Sequence, residues 1–313
     1  MLDSSLAYLA SDQALADLAA SNYWPKWHSP WWHMLLLHEL GETSRIPKGV
    51  IERFITTMND LPIKFFPIQA HEMPADADAG RDTVPCHCQL GNVYQVLAAW
   101  GVDVDARIPW IRPWFLKYQM ADGGLNCDSD AYLARGECPS SMVGTIAAFE
   151  AILFYTRRSW TAAEVAFLER GAEFLINRQL MYGSDTAHNA AERASAPDWL
   201  NLCFPRFYFY DVLRGLHALL AWSEVSKTAV PRAAVATVFQ HLESRHADGV
   251  ARIERQAFAG AGTIAQLADG RWNHERIPAT HFPLLDAVSV VGDVSPHLSR
   301  QWAACRQSKA VLI

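Results

Sequence analysis

Apolar residues recur along most of this chain at intervals of three and four, the spacing of a helix with a buried face, and two-residue alternation is almost absent. After Pro85, for example, Leu90, Tyr94 and Leu97 fall on one helical face, and Gly101 can take the left-handed conformation that ends a helix. The pattern therefore predicts an all-α chain. The other helices are expected over Leu2–Ala20, Trp31–Leu40, Pro47–Met58, Asp105–Tyr118, Met142–Tyr155, Thr161–Leu180, Phe207–Trp222, Pro231–Arg245 and Phe282–Val291.

Two long segments interrupt this helical pattern. Residues Asn59–Thr83 contain several prolines and show no clear periodicity, and Tyr182–Leu202 form a second such stretch. Loops of this length in a compact chain usually have binding or lid functions. We therefore expect both segments to cover the mouth of a ligand site.

Composition narrows the functional classes. The chain of 313 residues is 50% hydrophobic, enough for a large core, and its formal net charge is −6 with no block of Lys or Arg. A nucleic-acid partner is therefore not expected, and a small apolar ligand suits the chain better. The first residues lack the basic start of a secretory signal, and no run approaches the roughly 18 apolar residues of a membrane span. We expect a cytoplasmic protein without a membrane span, and the sequence leaves a homo-oligomer open.

Six cysteines are the main reactive groups of the chain. In a cytoplasmic protein they are expected to be reduced, which leaves thiol chemistry or metal binding as their functional uses. Cys86, His87 and Cys88 stand where the helix after Pro85 begins, and the positive end of a helix dipole favours a thiolate there. The alternative is ordinary core filling, because free Cys is among the most buried residue types.

Two turns indicate an internal repeat. Ala121-Asp122-Gly123 and Ala247-Asp248-Gly249 each follow a predicted helix, with Gln119 or Arg245 just before the turn. Each turn also leads towards a new apolar segment, so the repeating unit is a helix pair. Repeats of roughly 40 to 60 residues built from helix pairs form either an open solenoid or a closed ring.

The segment Tyr118-Gln119-Met120-Ala121-Asp122-Gly123-Gly124-Leu125-Asn126-Cys127 resembles the repeat of the terpenoid cyclase and protein prenyltransferase superfamily. The shared element is a Gln near the end of an outer helix, followed by Asp-Gly-Gly and an apolar residue. Cys88-Gln89-Leu90-Gly91-Asn92 and Phe204-Pro205-Arg206-Phe207-Tyr208-Phe209-Tyr210-Asp211-Val212-Leu213 are also similar to segments of bacterial proteins classed with squalene cyclases. The resemblance runs from about Tyr23 to Val291. It implies a single domain over residues 1–313, folded as an α/α toroid of about five to six helix pairs.

The chain departs from two branches of this superfamily. Squalene–hopene cyclases protonate an alkene with an Asp-x-Asp-Asp cluster, and both Asp76-Ala77-Asp78-Ala79 and Asp103-Val104-Asp105-Ala106 lack its last carboxylate. Protein prenyltransferases hold zinc through separated Asp, Cys and His, and Asn126-Cys127-Asp128 does not reproduce their Asp-x-Cys pair. The resemblance therefore suggests linalool dehydratase-isomerase as the functional analogue, because its α/α barrel uses Cys, His, Asp and Tyr for acid–base work on a small terpene alcohol.

A toroid places the starts of its parallel inner helices at one end of the barrel. With starts near Pro30, Cys86, Ser140, Phe204 and Phe282, five of the six cysteines would converge at that mouth. A concave mouth is also the expected ligand site, which some of the 12 Trp would line. The candidate catalytic residues are Cys88, Cys127, Asp128, Asp211 and His281. The candidate substrate-binding residues are Trp27, His28, Trp31, Trp32, Tyr94, Cys203, Phe204, Phe207 and Tyr208.

The expected function is acid–base catalysis on a small apolar, isoprenoid-like substrate, by dehydration, isomerisation or cyclisation, in the manner of a lyase or isomerase. Cys88 and Cys127 would face a common cavity, one of them as thiolate base and the other as thiol acid. Asp211 would be an acid of raised pKa, unless its i,i+3 neighbour Arg214 forms an ion pair with it. His281 would be a general acid or base, with helix capping as the alternative.

Two alternatives remain open. One is a protein that sequesters a hydrophobic ligand without catalysis. The other is a zinc-dependent enzyme in which Cys86, Cys88, Cys127 and Cys138 bind the metal as soft ligands. The interpretation without a cofactor is preferred, because zinc ligands usually come in Cys-x-x-Cys knuckles and the chain has none.

Overall fold

The computed structural model describes residues 1–60, 86–310 and 312–313, and within these ranges the chain is mostly helical. Every helix in this part of the chain is too short or too polar to cross a bilayer. The helices are α1 (Leu2–Leu9), α2 (Asp12–Ala20), α3 (Pro30–Glu39), α4 (Lys48–Asp60), α5 (His87–Trp100), α6 (Val104–Arg107), α7 (Ile111–Tyr118), α8 (Met142–Tyr155), α9 (Ala162–Asn177), α10 (Ala190–Ser195), α11 (Val212–Ser226), α12 (Arg232–Arg245), α13 (Pro283–Val288) and α14 (Pro296–Arg306).

One hairpin departs from the all-α prediction. Its strands are β1 (Gly262–Gln266) and β2 (Trp272–Pro278), which pair antiparallel. Most of β2 is exposed, so it lacks the alternation of buried apolar residues on which a strand prediction depends. The predicted helical character is confirmed, and the sheet that the prediction missed has two strands.

Several helices begin or end away from their predicted bounds. The predicted helix Leu2–Ala20 is two helices, because the Ser11 side chain caps α2 by accepting the N–H of Ala14 at 3.3 Å. The predicted start at Phe207 is wrong, because Asp211 caps α11 and the helix begins at Val212. Asp105–Tyr118 is likewise divided between α6 and α7, and α14 was not predicted.

Five helices contact one another in sequence order. Helix α3 contacts α5, α5 contacts α8, α8 contacts α11, and α11 contacts α14. Helix α2 packs on α4, while α9 contacts α7, α8, α11 and α12. All five of the helices in the first series contribute to the lining of one cavity of about 200 Å³, called the central cavity below; the lining includes Leu35, Gln95, Phe154, His217 and Gln301.

A network of buried polar groups fixes the chain before α11. Glu39 of α3 accepts the backbone N–H groups of Arg206 and Phe207, both at 2.6 Å. Arg206 in turn donates to both carboxylate oxygens of Asp211, at 2.8 and 2.9 Å. These bonds hold residues 206–211 outside the helix that their apolar pattern predicts.

The two Ala-Asp-Gly turns have the same hydrogen bonds. The N–H of Gly123 donates to the carbonyl of Met120 at 3.0 Å, and the N–H of Gly249 donates to that of His246 at 2.9 Å. In both turns the Asp side chain accepts the N–H two residues later, at 3.1 and 2.9 Å. The glycine φ angles are +90° and +80°, in the left-handed region that favours glycine. The turns are therefore equivalent in structure as well as in sequence.

Candidate functional site: a cluster of three thiols

Two distant parts of the sequence meet at the N-terminal end of α5. His87 is fully buried in the first turn, and its Nδ1 lies 2.6 Å from the carbonyl oxygen of Asn126. A carbonyl only accepts, so Nδ1 is the donor. The N–H of Cys88 donates to Cys127 Sγ at 3.4 Å. These contacts set Cys127 beside Cys86 and Cys88.

The segment that contains Cys127 lies directly on α8. The carbonyl of Leu125 accepts the N–H of Ser141 at 2.8 Å, and the N–H of Leu125 donates to Thr145 Oγ1 at 2.8 Å. A Cβ on Gly144 would lie only 2.7 Å from the Leu125 carbonyl oxygen. The position of Cys127 therefore depends on a glycine that lets two backbones approach closely.

The sulfur atoms of Cys86, Cys88 and Cys127, called the thiol cluster below, all lie within 4.8 Å of one another. Cys86 is the N-cap of α5, and its Sγ lies 2.9 Å from Cys88 Sγ. All three cysteines are free. Thiolates are soft ligands that bind zinc at about 2.3 Å, so a cluster of this spacing could hold a metal ion.

Cys86 is the residue of the cluster best suited to be a thiolate. Hydrogen bonds from Cys127 and Cys88, helped by the N–H of Gln89, hold its pKa well below the usual range although burial opposes this. Hydrogen bonds with the other two thiols, together with burial, raise the pKa of Cys127. For Cys88, the bond with Cys127 lowers the pKa, but the bond to Cys86 and burial outweigh it and raise the pKa. The cluster thus combines a base with two acids.

A lysine and two tyrosines interact with the thiol cluster. Lys26 Nζ donates to the Tyr208 hydroxyl at 2.9 Å. Burial lowers the pKa of Lys26 to about 8, and negative charge on Cys88 opposes that shift. Burial, together with negative charge on the cluster cysteines, raises the pKa values of Tyr23 and Tyr208. Both tyrosines therefore keep their phenol protons at neutral pH, and the cluster has a cation and two hydroxyl groups near it.

Aromatic rings continue from Tyr208 into the core. The ring of Trp27 lies 6.2 Å from that of Tyr208, stacks on Phe207 at 5.0 Å and meets Trp32 edge-on at 4.5 Å. Phe207 also lines the central cavity. Trp27, Trp32, Phe207 and Tyr208, all expected binding residues, therefore form one aromatic layer.

Asp211 does not have the raised pKa that the sequence analysis expects. Burial opposes its ionisation, but its bonds with Arg206 outweigh burial and lower its pKa. Arg214 donates only its backbone N–H to Asp211, at 2.9 Å, and its guanidinium pairs with Glu150 at 2.6 Å. The expected ion pair with Arg214 is therefore replaced by one with Arg206, and the Asp211 carboxylate belongs to the buried charge network.

Asp128 and His281 lie at partly exposed positions. The Asp128 carboxylate is 55% exposed and lies 3.1 Å from His188 Nε2. His281 Nδ1 lies 3.0 Å from the carboxylate of Asp286, which is 60% exposed. Among the described contacts, neither Asp128 nor His281 touches a sulfur atom of the thiol cluster.

Two candidate binding residues belong to other parts of the fold. Trp31 stacks on Phe54 of α4 at 5.1 Å. The hydroxyl of Tyr94 donates to Asp105 at 3.0 Å. The ring of Trp31 also lies 6.5 Å from that of Trp32 and so borders the aromatic layer, whereas the described ring contacts do not join Tyr94 to it.

Other expected members of the mouth have separate partners. His28 Nε2 lies 2.6 Å from Thr280 Oγ1. Cys203 Sγ lies 3.6 Å from the Asp211 carboxylate, and the neighbouring Phe204 is buried. Of the five cysteines expected to converge, Cys203 and Cys138 do not join the cluster, and Cys138 lines a different cavity beside Asp122.

The two expected lid segments differ in what the structure describes. Of Asn59–Thr83, residues 61–83 lie outside the described part of the chain. Tyr182–Leu202 contains α10 and a short 3-10 turn, and it borders a cleft of about 520 Å³ that Asn126, Asp128 and Tyr208 also line. This second segment therefore lies beside the chain that contains Cys127.

Sequence reasoning passed over three residues of the site. Cys86 was predicted at the helix start, where a thiolate is favoured, but it was left out of the candidate catalytic residues. Lys26 and Tyr23 were not considered. The signal for Lys26 is its position between Trp24 and Trp27, since a lysine among aromatic residues is often partly buried.

Comparisons of this chain with models of known protein families, with curated proteins and with solved structures give no match. Function must therefore be inferred from the thiol cluster and its surroundings.

Proposed function

We propose that this chain is an enzyme that transforms a small, largely apolar, isoprenoid-like substrate by acid–base chemistry at the thiol cluster, as a lyase or isomerase. The observation that carries the proposal is the cluster itself. Three sulfur atoms lie within 4.8 Å, and one thiol has a lowered pKa beside two with raised pKa values. Neighbouring groups whose pKa values are driven apart are typical of acid–base catalysis.

In this proposal α3, α5, α8, α11 and α14 are the inner helices of an α/α toroid. Their stepwise contacts and the cavity that all five line support this arrangement. The equivalent turns after α7 and α12 support a repeat of helix pairs, in which these two are outer helices. The thiol cluster then lies at the N-terminal ends of the inner helices, where a toroid has its mouth.

The cluster supplies both proton transfers of a dehydration. The Cys86 thiolate removes a proton from carbon, and the thiol of Cys88 or Cys127 protonates the hydroxyl group that leaves as water. The Tyr208 hydroxyl and Lys26 are suited to orient the substrate oxygen. The aromatic layer suits an apolar substrate body, because its rings offer a large nonpolar surface. Cys86 therefore takes the role of base, which the sequence analysis assigned to Cys88 or Cys127.

Incubation with small terpene alcohols, followed by product analysis, tests the proposal. Cys86→Ser should lower turnover by about a hundredfold or more, because a serine hydroxyl is not ionised at neutral pH. Cys305→Ser is the matched control, since Cys305 is a buried free thiol in α14 outside the cluster, and it should keep full activity. Tight binding of the alcohols by the unmodified protein without any turnover would contradict catalysis and favour a ligand-sequestering protein.

Zinc at the same cluster is a second candidate, favoured by the sulfur spacing. Thiolates on one tetrahedral zinc lie about 3.8 Å apart, so Cys86 and Cys88, whose sulfur atoms are 2.9 Å apart, would separate on binding while all three sulfurs already lie within 4.8 Å. No fourth His, Cys, Asp or Glu joins the three sulfurs among the described residues, which suits the open position of a catalytic zinc site.

Metal analysis of protein purified without chelators separates the two candidates. One equivalent of zinc that is lost in Cys127→Ala and kept in Cys305→Ala would replace the metal-free mechanism. Full turnover by metal-free protein would support the metal-free mechanism.

A further inference from the structure

The proposed reaction does not explain the surroundings of Lys26. Its Nζ lies 5.0 to 5.6 Å from the ring centroids of four aromatic residues, Tyr23, Trp24, Trp27 and Tyr208. The charged groups that act on its pKa are Cys88, Cys86 and Arg276. The amine is therefore enclosed by rings, and the negative charge that acts on it comes from Cys88 and Cys86 of the thiol cluster.

Enclosure of this kind favours the neutral form of the amine. Burial lowers the pKa of Lys26 to about 8. With such a pKa, about a tenth of the amine is neutral at pH 7, whereas an ordinary exposed lysine is almost fully protonated. A desolvated neutral lysine is a nucleophile towards carbonyl carbon.

The residue Lys26 also borders a groove. This groove has a volume of about 370 Å³, and α2, the hairpin and residues 24–28 contribute to it. Trp24, Trp272 and Ile264 provide apolar surface there, and Thr263 provides a hydroxyl group. The groove therefore suits a small ligand with an apolar body.

We propose that Lys26 forms a reversible imine with small apolar aldehydes or ketones that enter this groove. The amine nitrogen adds to the carbonyl carbon to give a carbinolamine, and loss of the carbinolamine oxygen as water leaves a C=N bond. Tyr208 holds Nζ through the 2.9 Å hydrogen bond, and its phenol protonates the departing hydroxyl group. The nitrogen gives up its proton in the same step, which restores the phenol. The reaction needs no oxidant, and it does not depend on the acid–base function proposed for the thiol cluster.

Reductive trapping tests this inference. The unmodified protein is incubated at pH 7 with hexanal and sodium cyanoborohydride, whose hydride converts the imine to a stable secondary amine, and peptide mass mapping locates the added mass. Lys117 is the internal comparison, because it is exposed and its Nζ also lies over two aromatic rings, at 5.7 and 4.6 Å. Lys26 should be labelled about tenfold faster than Lys117 or more, because a larger fraction of its amine is neutral.

Equal labelling of the two lysines would overturn the proposal and leave Lys26 as a cation held against aromatic rings. Lys26→Arg keeps the charge and should abolish labelling at this position, while Lys117→Arg should leave the labelling of Lys26 unchanged. Circular dichroism of both variants checks the fold. Trapping requires no turnover. A failure to label Lys26 would therefore leave the proposed acid–base function standing, and a failure to turn over terpene alcohols would leave the imine proposal standing.

Discussion

The charge network around Arg206 is buried and the thiol cluster is partly buried, and their polar groups are paired differently. In the network, Arg206 meets Asp211 through bonds of 2.8 and 2.9 Å, and Arg214 meets Glu150 at 2.6 Å. Each guanidinium faces a carboxylate, and these four side chains are 6% exposed or less. In the thiol cluster, the sulfur atoms are held mainly by one another, with Lys26 as the nearby cation.

This difference in pairing indicates that the charge network and the thiol cluster have different roles. A buried ion pair with complete hydrogen bonding holds one conformation, and loss of either partner leaves the other charge buried alone. Thiols are weak hydrogen-bond partners that cost little to bury, and they keep their capacity to exchange protons or bind soft metals. The network should therefore control stability, and the cluster should control activity.

The largest effect is expected from breaking the network at Asp211. Asp211→Asn keeps the shape of the side chain but leaves Arg206 without its counter-charge. The free energy of unfolding should fall by about 3–5 kcal/mol, the usual cost of stranding one partner of a buried ion pair. Urea unfolding followed by circular dichroism measures the change.

Asp286→Asn is the control for this experiment. Its carboxylate pairs with His281 but is 60% exposed, so the loss should stay below about 1 kcal/mol. Similar losses in the two variants would show that pairing in the network contributes no more than a surface contact.

An intermediate effect is expected from acid on His38, which lines the central cavity. It bonds to Thr43 and Tyr155 at 3.0 and 3.2 Å, and burial lowers its pKa to about 4. An unfolded histidine titrates near pH 6.5, so between these values the unfolded chain binds the extra proton. The contribution of His38 to stability is thus complete above about pH 6.5 and is lost as the pH falls towards 4, a change of about 2 kcal/mol after an allowance for the partly exposed ring.

The variant His38→Gln should flatten this part of the pH profile. Its free energy of unfolding, measured by urea at pH 7 and pH 4.5, should change less than that of the unmodified protein. A drop of the same size in both proteins would assign the acid sensitivity to other groups.

The smallest effect on stability is expected in the thiol cluster. Cys88→Ser and Cys127→Ser should each lower the free energy of unfolding by about 1 kcal/mol or less, because only weak hydrogen bonds change. Turnover of the substrate should nevertheless be lost. Cys305→Ser, the same replacement outside the cluster, should resemble them in stability and keep activity. A loss of about 3 kcal/mol or more in the cluster variants alone would assign the thiols to the structural part of the molecule.

The helices of this protein were largely predictable because their signals are local. Pro30 begins α3, and Gly101 ends α5 in the left-handed conformation, as their positions in the sequence predict. The apolar spacing that predicted Met142–Tyr155 and Pro231–Arg245 corresponds closely to α8 and α12. A helical pattern depends on residues three and four apart, so it is visible in the sequence before any distant contact is known.

The partners of the buried polar groups were decided only by the tertiary structure. Nothing local shows that Glu39 accepts the N–H groups of Arg206 and Phe207, or that Arg206 rather than Arg214 pairs with Asp211. The apolar spacing after Phe207 favours a helix, but the buried charges need those N–H groups and prevent it.

The thiol cluster combines both kinds of information. The sequence predicted that five cysteines converge, and the fold determined that Cys86, Cys88 and Cys127 do so while Cys138 and Cys203 do not. Lys26 reaches the same site from a distant part of the chain. The physical reason is that helix formation depends on neighbours in sequence, whereas the pKa and the partners of a buried side chain depend on every group that packing brings within a few ångströms of it.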